Sequence, residues 1–151
     1  MKHTLILALL SSSLLSYDIR VNVSNLSKDK GDILFAIYNK GDVFLKRGKE
    51  YKKAKVDKDK KTSYTFKNVP KGTYAIAVVD DKNRNQKMDR NIFGIPKEGY
   101  GLSNNIRPHF KPSFDDCKFK LNKNLTLNIK MGYWYEIFYI IDFNIITSTL
   151  L

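Results

Sequence analysis

With one cysteine, Cys117, in 151 residues, the chain can form no disulfide within itself, so a domain of this size must be held by its core. Histidine is almost as scarce. His3 lies near the N-terminus and His109 follows Pro108, which leaves Cys117 no evident partner to make it a nucleophile. The chain is also short of acid, with 15 Asp and Glu against 27 Lys and Arg and a formal net charge of +12. That excess does not define a nucleic-acid surface. The lysines, such as Lys28, Lys46, Lys58, Lys71 and Lys123, are scattered beside turn residues, and neither a helix face nor an RNP-like aromatic strand collects them. A solvated basic surface with weak adherence to anionic envelope polymers is expected instead. No internal repeat or low-complexity linker is visible, and no stretch keeps a convincing helical period. The length suits one domain.

What is present begins with a leader pattern. Met1-Lys2-His3 supplies a positive start, Leu5 to Leu10 an apolar run, and Ser11 to Ser16 a small-residue end. This is the order of a Sec-type signal peptide, with cleavage expected after Ser16 and a periplasmic or secreted destination. Without the leader the charge remains near +11, since only Lys2 is removed.

Beyond the leader, strict alternation places Tyr17, Ile19, Val21 and Val23 on one face of a half-buried strand. A turn at 25–32 follows, with Gly31 available for positive φ. Residues 33–38 are apolar on both faces and read as a central strand. Residues 43–55 are ambiguous. Runs at 62–66 and 73–79, joined through Pro70 and Gly72, read as adjacent antiparallel strands. Two more strands are expected at 115–121, with Cys117, Phe119 and Leu121 on one face, and at 125–131. About seven short strands indicate an all-β fold, a single antiparallel β-sandwich of immunoglobulin or transthyretin type over residues 17–132, with a barrel as the alternative. The tail, 133–151, is apolar but contains Glu136, Asp142 and Asn144. It reads as an extra strand, a disordered tail, a membrane anchor weakened by those residues, or out-of-frame coding; no membrane span is expected after leader removal.

The connection 80–114 is too long to be ordinary and is the place to look for function. Asp81, Asn83, Asn85 and Asp89 fall at relative positions 1, 3, 5 and 9 of a calcium-loop pattern. Gln86 occupies the usual glycine position and Ile92 the usual terminal glutamate position. Lys82, Arg84, Lys87 and Arg90 outnumber the three aspartates of 80–90, so any calcium binding is expected to be weak. Further on, Glu98, Tyr100, Ser103, Asn104 and Asn105 offer polar groups and an aromatic face for a sugar or peptide, or for closing the loop on itself. An enzyme acting on envelope polymers would need Glu98 and a second carboxylate, Asp89 or Asp115, at about 5 to 9 Å; catalysis is not the expected reading.

The runs Val69 to Val78, Asp81 to Asn85, Phe93 to Asn105 and Pro112 to Asp116 together resemble the bacterial DUF2141 family of exported proteins. That resemblance covers roughly residues 17–132. It implies a signal peptide, a single β-sandwich and no established activity. It also implies glycines at the positions of Arg84 and Gln86. For an exported module of this kind, a cell-envelope component or a protein is the expected partner.

Overall fold

The computed structural model describes residues 15–29, 31–40, 43–45, 52–57, 63–106 and 112–134. The expected leader, apart from its last two residues, and the tail beyond Trp134 lie outside them. The described fold is mostly β and contains two sheets. Its strands are β1 (Ser16–Ser24), β2 (Asp32–Asn39), β3 (Lys52–Asp57), β4 (Ser63–Pro70), β5 (Gly72–Asp81), β6 (Gly99–Leu102), β7 (Phe119–Leu121) and β8 (Leu125–Lys130). One sheet has the order β4-β1-β8; in the other the order is β3-β2-β5-β6, with β7 also pairing with β5.

Alternation explains the core. Ile19, Val21 and Val23 of β1 face Ile33, Phe35 and Ile37 of β2, and they share one cluster with Phe66, Val69, Ile76, Val78, Leu121, Ile129, Met131 and Tyr133. Both sheets contribute, and each such side chain is worth about 1.5–3 kcal/mol when fully buried. Because β2 and β5 are also apolar on their other face, a second cluster forms there from Ala36, Tyr38, Ala75, Ala77, Leu102 and Cys117. The doubly apolar β2 is central, between β3 and β5, as its composition required. The ambiguous region supplies β3, an antiparallel neighbour of β2.

Five expectations are corrected. The runs around Pro70 and Gly72 are not sheet neighbours: β4 pairs with β1 and β5 with β2, so the Pro-Lys-Gly connection crosses between sheets, and Lys71 donates its N–H to the Leu15 carbonyl at 2.8 Å. Pairing is not wholly antiparallel, since β1 and β8 run parallel; strands so far apart in the chain are under no hairpin constraint. The expected strand at 115–121 is divided. Phe114–Cys117 forms a helical turn, α1, with a reciprocal cap between Ser113 and Asp116, and only 119–121 is extended. Finally, 80–114 is not one loop, because β5 continues through Asp81 and β6 lies within it. In the first turn, Asn25 rather than Gly31 takes positive φ.

Gly99 and Gly101 let β6 approach β8. A Cβ on Gly101 would sit 2.5 Å from Ile129 Cγ2, and one on Gly99 would collide with the Tyr133 ring. Beside them, Tyr100 and Gly132 exchange two backbone hydrogen bonds at 3.0 and 2.8 Å and tie the end of one sheet to the other.

Candidate functional site

Residues 81–98 project from the ends of β5 and β6, and buried acids fix their base. Asp80 continues the core-facing row of Ile76 and Val78, and is fully buried. Its Oδ2 accepts from Tyr133 Oη at 2.6 Å and from Ser27 Oγ at 2.9 Å. Tyr133 Oη in turn accepts from the Ser27 N–H. Burial, followed by the Asp80 carboxylate, pushes the Tyr133 phenol well above its ordinary pKa.

Above this base, the loop ties itself to Asp81 and Glu98. Asp81 Oδ1 accepts from Asn85 N at 3.1 Å and Oδ2 from Gln86 N at 2.8 Å. Glu98 Oε1 accepts from Lys82 N at 3.0 Å and Oε2 from Asp89 N at 3.2 Å. Burial raises the Glu98 pKa, with the two backbone N–H groups opposing it and Asp81 and Asp89 reinforcing it. Asp89 receives side-chain amides: Asn83 Nδ2 at 2.7 Å and Asn85 Nδ2 at 3.1 and 3.0 Å. All four residues of the calcium-loop pattern therefore converge, and they do so on one another and on the loop backbone. Arg84 and Gln86 take φ values of 61° and 60°, a left-handed backbone that favours glycine. Lys82 is bound to Asp29 at 2.6 Å, and Arg84 Nε lies 3.9 Å from Asp32. Among the described residues, no group of three His, Cys, Asp or Glu side chains is placed to hold a metal ion.

The outermost part is a small hairpin. Arg90 and Pro96 form an isolated bridge, Lys97 N donates to the Asp89 carbonyl at 2.8 Å, and Asn91 N donates to the Ile95 carbonyl at 2.9 Å. Asn91 Oδ1 caps the turn from inside, accepting from Phe93 N and Ile95 N, both at 2.9 Å. Gly94 closes it at φ 78°, and Arg90 Nη1 reaches across to the Gly94 carbonyl at 2.9 Å. The tip so braced presents Ile92 and Phe93 to solvent, 93% and 80% exposed.

The five residues expected to bind a ligand are held differently. Glu98 closes the loop, as above. Half-buried Tyr100 makes the inter-sheet bridge through its backbone. Ser103 Oγ is buried, accepting from Ile76 N at 3.0 Å and donating to the Cys117 carbonyl at 2.5 Å. Asn104 Nδ2 donates to the Asp116 and Lys118 carbonyls at 3.3 and 3.1 Å. Asn105 bonds β8, donating to the Asn128 carbonyl at 3.0 Å and accepting from Lys130 N at 2.8 Å. These side chains hold β5, α1 and β8 together. Asp115 lies on α1, with Lys118 at 2.7 Å.

Sequence reasoning passed over Asp80, Tyr133, Ile92 and Phe93. Asp80 was detectable as the third member of an alternating core row. Tyr133 was grouped with the tail by composition, and nothing local marks its reach to a strand 53 residues away. Ile92 and Phe93 stand between Asn91 and Gly94 in a stretch with no strand period, where turn residues rather than an apolar row surround them.

Two sheets around a shared core, with a loop whose polar groups bond one another, define a small β protein bearing a pre-shaped projection. The chain belongs to the DUF2141 family, described as an uncharacterized protein conserved in bacteria, which it matches over residues 21–128. Neither the curated proteins nor the solved structures yielded a match.

Proposed function

We propose that this chain is an exported binding module, a β-sandwich of immunoglobulin or transthyretin type, that uses the 81–98 projection as its recognition surface. One observation carries the reading: two large apolar side chains are exposed at the end of a loop whose carboxylates and backbone are tied down. Apolar groups rigidly held in water favour association once a partner covers them. The engagement of Glu98 by two backbone N–H groups supports binding over hydrolysis, since a general acid must be free to face its substrate. Export is supported by the leader pattern, a positive start, an apolar run and a small-residue end over residues 1–16.

The test is adsorption of the purified chain to isolated cell envelopes. Ile92→Ser with Phe93→Ser should leave the melting temperature unchanged and reduce adsorption about tenfold or more, the scale of one or two buried apolar side chains. Equal adsorption by the variant overturns the reading.

Calcium is not required in this proposal. Two asparagine amides and the Asp89 backbone act within the loop where a divalent ion would otherwise gather oxygens, and the surrounding cations oppose such an ion. Calcium at about 5 mM, in the range of weak extracellular sites, should leave the thermal midpoint unchanged. A rise that is lost in Asp89→Ala would restore the metal to this loop.

A further inference from the structure

We infer that the hairpin 89–97 docks on anionic lipid, inserting Ile92 and Phe93 into the headgroup boundary while neighbouring cations meet the phosphates; this rests on the projection being the recognition surface. Three features select that partner. The apolar surface is a convex tip of two adjacent side chains, 93% and 80% exposed. A fluid interface accommodates such a shape without a matching pocket, whereas a hydrated sugar polymer offers no apolar phase to receive it.

Charge is the second feature. Residues 87–97 carry Lys87, Arg90 and Lys97 against the single carboxylate of Asp89; Asn83 and Asn85 already satisfy that carboxylate, while Lys82 and Arg84 are engaged by Asp29 and Asp32. Lys87, Arg90 and Lys97 are exposed. Such clusters gain affinity for an anionic leaflet with each added cation and lose it as salt screens the field.

The third feature is placement. The Arg90 hydrogen bond to the Gly94 carbonyl holds a guanidinium beside the apolar pair and leaves most of its donors for phosphate oxygens. Lys97 stands on the opposite arm, its backbone paired with Asp89, and its long stem can lie along the boundary with the ammonium in the headgroups. Because Asn91 fixes the turn, little ordering is left to occur on docking.

The full chain should sediment with vesicles of phosphatidylglycerol and phosphatidylethanolamine more strongly than with phosphatidylcholine vesicles, and less in high salt. Ile92→Ser with Phe93→Ser should weaken the anionic-vesicle partition about tenfold or more; leader and tail are common to both proteins and cancel in the comparison. A Phe93→Trp variant should add a blue-shifted emission on anionic vesicles that Trp134 alone does not give. Unchanged partition in the double variant, or no emission shift from position 93, overturns the lipid assignment. If envelope adsorption still depends on Ile92 and Phe93 while vesicles are ignored, the lipid assignment fails and the binding reading stands. If neither depends on them, both fail.

Discussion

Asp80 is the residue on which the base of the projection turns. A carboxylate without solvent access is tolerated only when its oxygens are satisfied, and Tyr133 and Ser27 supply two donors to the same oxygen. Tyr133→Phe keeps the ring that packs on Gly99 but removes one donor from Asp80 and the acceptor of the Ser27 N–H. We expect a loss of about 1–3 kcal/mol in urea unfolding, the cost of leaving a buried polar group unpaired. Glu98 makes a different prediction. Its folded pKa is raised above the ordinary 4.5, so the folded state retains a proton that the unfolded chain has released. Its contribution is therefore fully present below about 4.5 and declines as pH rises through the raised folded value. Relative to Glu98→Gln, which removes this titration, the wild type should gain stability as pH is lowered towards 4.5. A stability difference that does not change with pH would show that position 98 does not titrate in this window.

At the scale of elements, the strands with a clear side-chain period were legible, whereas the short β6 and β7, the ambiguous β3 and the strand partnerships were not. The alternation of β1 and the two-sided apolarity of β2 each follow from local side-chain period, and both elements stand as read. Pro70 and Gly72 mark a chain reversal, but the same residues serve a hairpin or a crossing between sheets. The choice was made by the distant β1 and β2, whose rows β4 and β5 complete. Likewise Cys117 stays buried although it belongs to α1, because the helical turn lays it against Ala75 and Ala77 rather than beside Phe119. Candidate-site residues divide the same way: the spacing places Asp81, Asn83, Asn85 and Asp89 on one loop, while their hydrogen bonds to one another depend on where the loop backbone donates. The loop nevertheless keeps a local conflict, since Arg84 and Gln86 occupy left-handed backbone at a cost of roughly 1–2 kcal/mol each. Gln86→Gly relieves that strain while adding unfolded-state freedom, and we expect a net gain of about 0.5–1 kcal/mol, visible as a thermal midpoint several degrees higher. A lower midpoint would mean that the Gln86 side chain contributes more than its backbone costs.

For the whole molecule, the core extends past the family match, because Met131 and Tyr133 are buried in it and tie the C-terminal end of the described fold to β1, β5 and β6. Cys117, the chain's single thiol, offers a direct measure of how cooperatively this assembly opens. It is fully buried against the small-residue face of β5, and burial, with a smaller push from Asp116, raises its pKa to about 11. Since the thiolate is the reacting form, both access and ionisation suppress its labelling in the native state. At pH 8, a disulfide reagent should leave the folded protein unmodified over the time in which the urea-unfolded chain reacts completely. If the two sheets form one cooperative unit, the labelling rate at rising urea should follow the same free energy as the loss of β circular dichroism. Labelling in water well ahead of that transition would reveal instead that α1 lifts from β5 while the shared core stays closed, making the outer cluster a separately unfolding layer.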